Sequence, residues 1–219
     1  MKNHLFSGLS AKQLLEGNFG LEREGLRVTK EGLLSLQPHP EVFGDKKTNP
    51  YITTDFSESQ LELVTPVFQS TEEAVNFLDS LFNIAVLELN DEFIWPQSMP
   101  ANTPDPEVIP IASCPTEKKY EKYREYLKNK YGAKKQLISG IHINFSLGEQ
   151  LIRTLYERSG QQLPFLRFKQ DLYLKLTRNY LRYHWLIVYL FGAANIIHKS
   201  YRNECLSDLV EITRETYTD

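Results

Sequence analysis

Three separated stretches of this chain repeat polar side chains at a spacing of two: "GLEREGLRV" (20–28), "SESQLELV" (57–64) and "GIHINFSL" (140–147). Side chains of an extended strand alternate between its faces, so Glu22 and Glu24 point the same way and Glu58, Gln60 and Glu62 share a face. In the third stretch His142, Asn144 and Ser146 lie opposite Ile141, Ile143 and Phe145. Joined in one sheet, the three runs give an apolar face for a core and a polar floor bearing Glu22, Glu24, Glu62 and His142. Asp55 has the opposite parity to Glu62, so it reaches that floor only if the chain bends near Phe56 and Ser57. Carboxylates held this close repel one another and call for something positive between them. An oxygen-rich floor with one imidazole suits Mg²⁺ or Mn²⁺ better than zinc, and Mg²⁺ commonly joins protein carboxylates to nucleotide phosphates. The competing readings are a solvated edge strand whose glutamates face water, and a strand histidine with a purely hydrogen-bonding role.

The rest of the pattern predicts an α+β chain. Residues 8–16 read as a short helix capped by Ser10, and 18–28 as the first strand. "TKEGLLS" (29–35) reads as a Gly turn leading to a second short strand. Residues 51–66 read as one strand stopped by Pro66. Ser70 and Glu73 then form a capping-box pattern ahead of Ala74, Phe77, Leu78, Leu81 and Ala85 at helical spacing. Five of the eleven prolines fall in 95–110, which predicts a loop that is either a linker or the wall of a site. A helix follows over 117–131 with a stripe of Tyr120, Tyr123, Leu127 and Tyr131, stopped by Gly132. A long helix from Pro164 to Gly192 carries Leu172, Leu176, Tyr180, Tyr183, Ile187 and Leu190 on its apolar face. A last helix is predicted near 203–215.

Composition excludes several classes. With 12 Tyr, 12 Phe and 41% hydrophobic residues among 219, the chain has the makings of a folded core rather than of disorder. A net charge of -3 gives no general attraction to nucleic acid or anionic membrane. Cys114 and Cys205 form no CxxC or zinc pattern and read as thiols in a reducing cytosol. The N-terminus lacks the apolar core of a signal peptide, and "WLIVYLFGAANII" (185–197) is short of the ~20 residues of a membrane span. A cytoplasmic location is the resulting expectation. There is no P-loop or glycine-rich dinucleotide motif, and His4, His39, His184 and His198 show no ligand spacing. The eight Lys/Arg and four Tyr between 118 and 135 read as a solvated helix face or a nucleic-acid surface, the former being preferred. Lys175, Arg178 and Arg182, on one side of the long helix, suit phosphate or acidic neighbours.

Five segments in order, "GNFGLEREGLRV", "ITTDFSESQLELVTP", "DEFIWPQSMP", "KYREYLKNKYGAKKQLISGIHINFSL" and "RNYLRYHWLIVYLFGA", resemble glutamate-cysteine ligase, above all the bacterial form fused to a glutathione synthetase module. The resemblance runs from about residue 13 to the end of the chain. It implies a glutamine synthetase-like fold, in which a curved, mainly antiparallel sheet is flanked by helices and binds Mg²⁺ and ATP on its concave face. Carried over residue by residue, it implies that Glu22, Glu24, Asp55, Glu62 and His142 are metal or ATP-site residues, with Glu92 near the ions. Phe56 and Tyr123 match positions lining a cysteine pocket, and Gln136 and Ile138 match positions near the glutamate. The implied reaction phosphorylates the glutamate γ-carboxylate with ATP and then joins it to the cysteine amine. Family members are more than twice as long, so residues 1–219 correspond to the N-terminal portion of the catalytic domain. The later metal-bridging glutamate, the substrate-binding arginines and the fused ATP-grasp module have no counterpart here. "SDLVEITRETYTD" reads as a family segment cut within an element, and "FGAANIIHKSY" departs from the usual Ser-Pro after "FGA".

Three readings follow. The chain is an ATP- and Mg²⁺-dependent ligase acting on glutamate and cysteine, or a non-catalytic half that needs a C-terminal partner or self-association. The third is a carboxylate/His metallohydrolase indifferent to ATP and cysteine.

Overall fold

The computed structural model describes residues 5–100, 102–114, 118–192, 196–204 and 210–218. The chain divides into two compact units, one of Met1–Phe19 with Phe145–Ala194 and one of Gly20–Asn144 with Asn195–Asp219. Strands β1 (Gly17–Val28) and β5 (Ile141–Leu147) contribute residues to both.

The second unit holds the polar floor. Strand β1 lies between β3 (Gln60–Val64) on one edge and β4 (Phe93–Ile94) and β5 on the other, with β2 (Ile52–Thr54) outside β3. The β1–β3 register pairs Glu24 with Glu62 and Arg23 with Leu63, and β2 pairs Thr53 with Glu62. Residues 51–66 are thus two antiparallel strands rather than one. The reversal at 55–59 is a turn in which Gln60 N–H donates to the Ser57 carbonyl, and it supplies the bend that Asp55 requires. The hairpin expected after β1 contracts to a turn at Gly32, φ +76°, and a single bridge between Val28 and Leu34.

Alternation sorts the two faces. Ile52, Leu61 and Leu63 form one core with Leu78, Leu81 and Ala85 of α2 (Thr71–Glu88), a helix begun by Ser70 Oγ accepting from Glu73 N–H. Each leucine so buried stabilises the fold by about 1.5–3 kcal/mol. The opposite face carries Glu22, Glu24 and Glu62. It changes character at Leu26, where a second core begins with Leu34, Phe56, Ile109, Ala133 and Leu137. The proline-rich loop is a wall of that core, since Ile109 is buried in it and Ile111 bridges Ser57. Helix α3 (Lys118–Tyr131) ends at Gly132, φ +89°, but buries none of its residues fully, and the expected tyrosine stripe is exposed. Only Leu127 of that stripe packs against the second core.

The first unit contains α1 (Ala11–Leu15), α4 (Glu149–Ser159) and α5 (Phe165–Phe191). Ser10 and Gln13 close a capping box on α1. Helix α4 was not expected from the pattern, although Leu151, Ile152 and Leu155 mark its buried face and Gly160, φ +60°, its end. These residues pack with Phe168 near the start of α5. Beyond it the expected buried stripe is not found: Leu176, Tyr180, Tyr183, Ile187 and Leu190 are all exposed. Periodicity identified the apolar side of the helix but not a covering partner.

Near the C-terminus the expected helix is replaced, among the described residues, by a small sheet of order β6-β8-β7. Its strands are β6 (Ile197–His198), β7 (Val210–Glu211) and β8 (Thr216–Thr218). Residues 205–209 of that expected helix, with Cys205 and His4, lie outside the described residues.

Candidate functional site

The floor is built at the middle strand. Glu24 and Glu62 are direct cross-strand partners, an arrangement that destabilises a sheet when both are charged. On the other side of Glu24, its Oε2 accepts the Gly140 N–H at 3.0 Å, and its own N–H donates to the Gly140 carbonyl at 2.9 Å. This two-way clamp sets β5 antiparallel to β1. It brings His142 beside Glu22, with Nδ1 3.2 Å from Oε2, and its Nε2 lies 3.5 Å from Glu24 Oε1. Asn144 Nδ2 donates to the other Glu22 oxygen at 2.7 Å.

The electrostatics of these residues agree in direction. Burial, then Asp55, Glu22 and Glu24, push the Glu62 carboxyl up to about 7. Glu24 is raised by burial against the Gly140 hydrogen bond, and Asp55 is raised by burial against the nearby Arg124 charge. His142 is raised chiefly by its hydrogen bond to Glu22. Four carboxylates therefore share one field with a single imidazole, and their mutual repulsion favours the protonated form of Glu62. Among the described residues no three His, Cys, Asp or Glu side chains converge into a formed metal cage. The match to a hard divalent cation is one of donor chemistry and uncompensated charge: hard oxygen donors, half-buried, that repel each other until a cation joins them.

The other expected residues lie elsewhere. Glu92 does not join the floor. Its two oxygens take the Arg27 guanidinium and the Ser35 hydroxyl, and Arg27 has the opposite parity to Glu24 along β1. Arg27 is 1% exposed and also donates to the carbonyls of Gln37, Pro38 and Glu58, so Glu92 neutralises a buried cation. Glu58 also leaves the face it was expected to share with Glu62, because the 55–59 turn breaks the alternation. Its carboxylate accepts from Lys46 Nζ at 2.7 Å, from the backbone and hydroxyl of Ser113, and from His39 N–H. Phe56 is 2% exposed within the second core. Tyr123 is exposed on α3. Gln136 is half-buried and Ile138 exposed in the segment leading to Gly140. Sequence reasoning missed the basic pocket beside the floor, lined by Lys46, Lys47, Thr53, Tyr120 and Arg124. Its only signal was Arg124 one helical turn beyond Tyr120.

Comparison with known proteins gives the class. A sequence model of the family described as glutamate-cysteine ligase matches residues 3–219. The chain belongs to the glutamate-cysteine ligase family. It is 46% identical over 211 residues to the glutathione biosynthesis bifunctional protein GshAB of Desulfotalea psychrophila, covering 95% of this chain and 27% of that one. It is 45% identical to the glutamate-cysteine ligase of Clostridium acetobutylicum, covering 93% of this chain and 43% of that one. Among solved structures, the Francisella tularensis glutamate-cysteine ligase in complex with AMP superposes with a TM-score of 0.84 at 34% identity, covering 93% of this chain and 40% of that one. A bifunctional glutathione synthetase from Pasteurella multocida gives a TM-score of 0.78 at 42% identity over 83% of this chain and 24% of that one. The chain thus spans between about a quarter and less than half of the relatives it matches. No helix among the described residues is long and apolar enough to cross a membrane.

Proposed function

We propose that this chain carries the cation and ATP-phosphate floor of a cytoplasmic ATP-dependent ligase that joins the γ-carboxylate of glutamate to the amine of cysteine through a γ-glutamyl phosphate. Residues 1–219 would be the N-terminal portion of a catalytic domain with a glutamine synthetase-like curved sheet. The observation that carries the reading is the Glu24–Glu62 pair, two carboxylates locked opposite each other with Glu62 raised to about 7. Glu22, Glu24, Asp55, Glu62 and His142 would hold Mg²⁺ or Mn²⁺. When bound, such ions neutralise charge on the transferring phosphoryl group and align nucleophile with leaving group.

The chain's own residues have separate tasks. Gly140 N–H fixes one oxygen of Glu24 and leaves the other facing His142. Asn144 and His142 each take one oxygen of Glu22 and set its orientation. The core formed by Ile52, Leu61 and Leu63 against α2 keeps β2, β3 and β1 in the register that holds these groups in place.

A specific observation favours a second reading, in which this is one half of the enzyme and needs a C-terminal portion. On α5, Trp185 and Phe191 are 60% and 79% exposed. A helix this apolar is normally covered. The deciding experiment is ADP release by the 219-residue chain with glutamate, ATP and Mg²⁺, with and without cysteine. Cysteine-dependent release that is lost in Glu62→Gln supports the ligase. Silence restored by adding the C-terminal portion of a relative supports the half-enzyme. ADP release that ignores both cysteine and glutamate is plain ATP hydrolysis and sinks both.

A further inference from the structure

Gln60 stands two residues before Glu62 on β3 and faces the same side of the sheet, opposite Leu26 of β1, where the floor gives way to the second core. It is 0% exposed. Its Nε2 lies 3.5 Å from Glu24 Oε2 and 3.5 Å from Ser139 Oγ, and its Oε1 has no partner among the described residues. Ser139 is itself buried. It donates its hydroxyl proton to the Leu137 carbonyl at 3.3 Å and its N–H to the Ser98 carbonyl at 3.0 Å, so it stands fixed as an acceptor for the Gln60 amide. An apolar side chain of similar length would continue the core without burying an oxygen unpaired, so packing does not account for an amide here.

We infer that Gln60 is a positioning residue that, together with Gly140, holds Oε2 of Glu24 and so presents this carboxylate to a divalent cation through Oε1 alone. The inference deepens the ligase reading and rests on it for the cation. Oε2 accepts the Gly140 N–H at 3.0 Å from the β5 side of β1, and the Gln60 amide approaches it from β3 on the other side. Two donors on one oxygen leave the other, 3.5 Å from His142 Nε2, as the open end of the carboxylate. Both donors are neutral. A Lys or Arg at position 60 would also orient Glu24, but it would supply the counter-charge, as Lys46 does for Glu58. An amide fixes the carboxylate and leaves its charge for a cation, and a ligand ordered beforehand loses less entropy on binding.

The test is Mn²⁺ binding to the full chain at pH 8, followed by the electron paramagnetic resonance signal of the free ion, with thermal unfolding of the cation-free protein measured alongside. Gln60→Met keeps the length of the side chain and removes the amide. It should bind Mn²⁺ about three- to tenfold more weakly, with a melting temperature within about 4 °C of the parent. Ser139→Ala leaves Gln60 able to reach Glu24 but unanchored, and should weaken binding about twofold. In the double variant the loss should equal that of Gln60→Met alone, because Ser139 acts on the cation only through the amide. A double variant whose losses add overturns the inference. So does a melting temperature of Gln60→Met lowered beyond that range, which would make Gln60 a structural residue. A parent chain that binds Mn²⁺ and a Gln60→Met variant that binds it equally well remove this inference and leave the ligase reading standing. A parent chain that binds no Mn²⁺ removes the floor and the inference with it.

Discussion

Glu58 and Glu62 lie four residues apart in one short segment and both are at least half-buried, yet they are held in opposite states. Glu58 is surrounded by donors from three directions, Lys46, Ser113 and His39. Burial pushes its carboxyl up, but these bonds outweigh it and the net shift is downward. Glu62 faces Asp55, Glu22 and Glu24 instead, and burial with their repulsion lifts it to about 7. The contrast separates two uses of a buried carboxylate. One has its counter-charge built into the fold and serves stability. The other faces carboxylates with only the His142 imidazole to offset them, and that imbalance is the basis of the proposed cation site.

The sharpest way to break the comparison is to remove the satisfied partner. Glu58→Ala strands Lys46, two backbone N–H groups and a hydroxyl, so urea unfolding should show a loss of about 3–5 kcal/mol. The response of the remaining folded protein to Mg²⁺ should be unchanged. A loss under 1 kcal/mol, or an abolished Mg²⁺ response, would show that Glu58 is no structural carboxylate.

A smaller effect of opposite sign is expected at Glu62. Its folded pKa is raised, so its contribution to stability is complete below its ordinary 4.5 and is lost as pH rises through about 7. Glu24, Asp55 and His142 are raised too, and their contributions fall in the same direction. Glu58 has the reverse sign: its contribution is complete above the unfolded pKa and is lost only in acid. The full shift at Glu62 corresponds to roughly 3 kcal/mol, which partial exposure reduces to roughly 1–2 kcal/mol. Glu62→Gln should therefore stabilise the cation-free chain by that amount at pH 8 and by almost nothing at pH 4.5. Millimolar Mg²⁺ should raise the melting temperature of the parent chain at pH 8 and have little effect on the variant. A variant no more stable than its parent at pH 8 would remove the basis for an incomplete site.

Much of this contrast was legible in the sequence, and the illegible part has definite causes. A period of two placed Glu22, Glu24, Glu62 and His142 on one face, and the parity mismatch at Asp55 announced a bend. The same alternation misplaced Glu58, because a turn resets parity and nothing in "DFSES" tells a reversal from a bulge. The role of Glu92 was hidden for another reason: its partner Arg27 is 65 residues away, and no local pattern encodes such a pair. On α3 and α5, helical spacing identified apolar faces correctly but carried no information on whether anything covers them. The strands of the C-terminal sheet, at two or three residues, are too short for any periodicity to register.

The finest test concerns what holds the floor in the shape that the proposed cation would need. Asn144 donates to one oxygen of Glu22 and His142 contacts the other, so the carboxylate is gripped from one side by β5. The bond is exposed, and its loss in Asn144→Ala should cost about 0.3 kcal/mol, near the limit of an unfolding measurement. Its effect on orientation is more readable, because a carboxylate freed to rotate must be re-ordered when a cation binds. Mg²⁺ titration should show a weakening of about two- to threefold at pH 8, where the floor is most highly charged, while Glu58→Gln leaves the affinity alone. If Asn144→Ala instead binds Mg²⁺ more tightly, the Asn144 amide competes with the cation for Glu22, and the grip of β5 restrains the floor rather than preparing it.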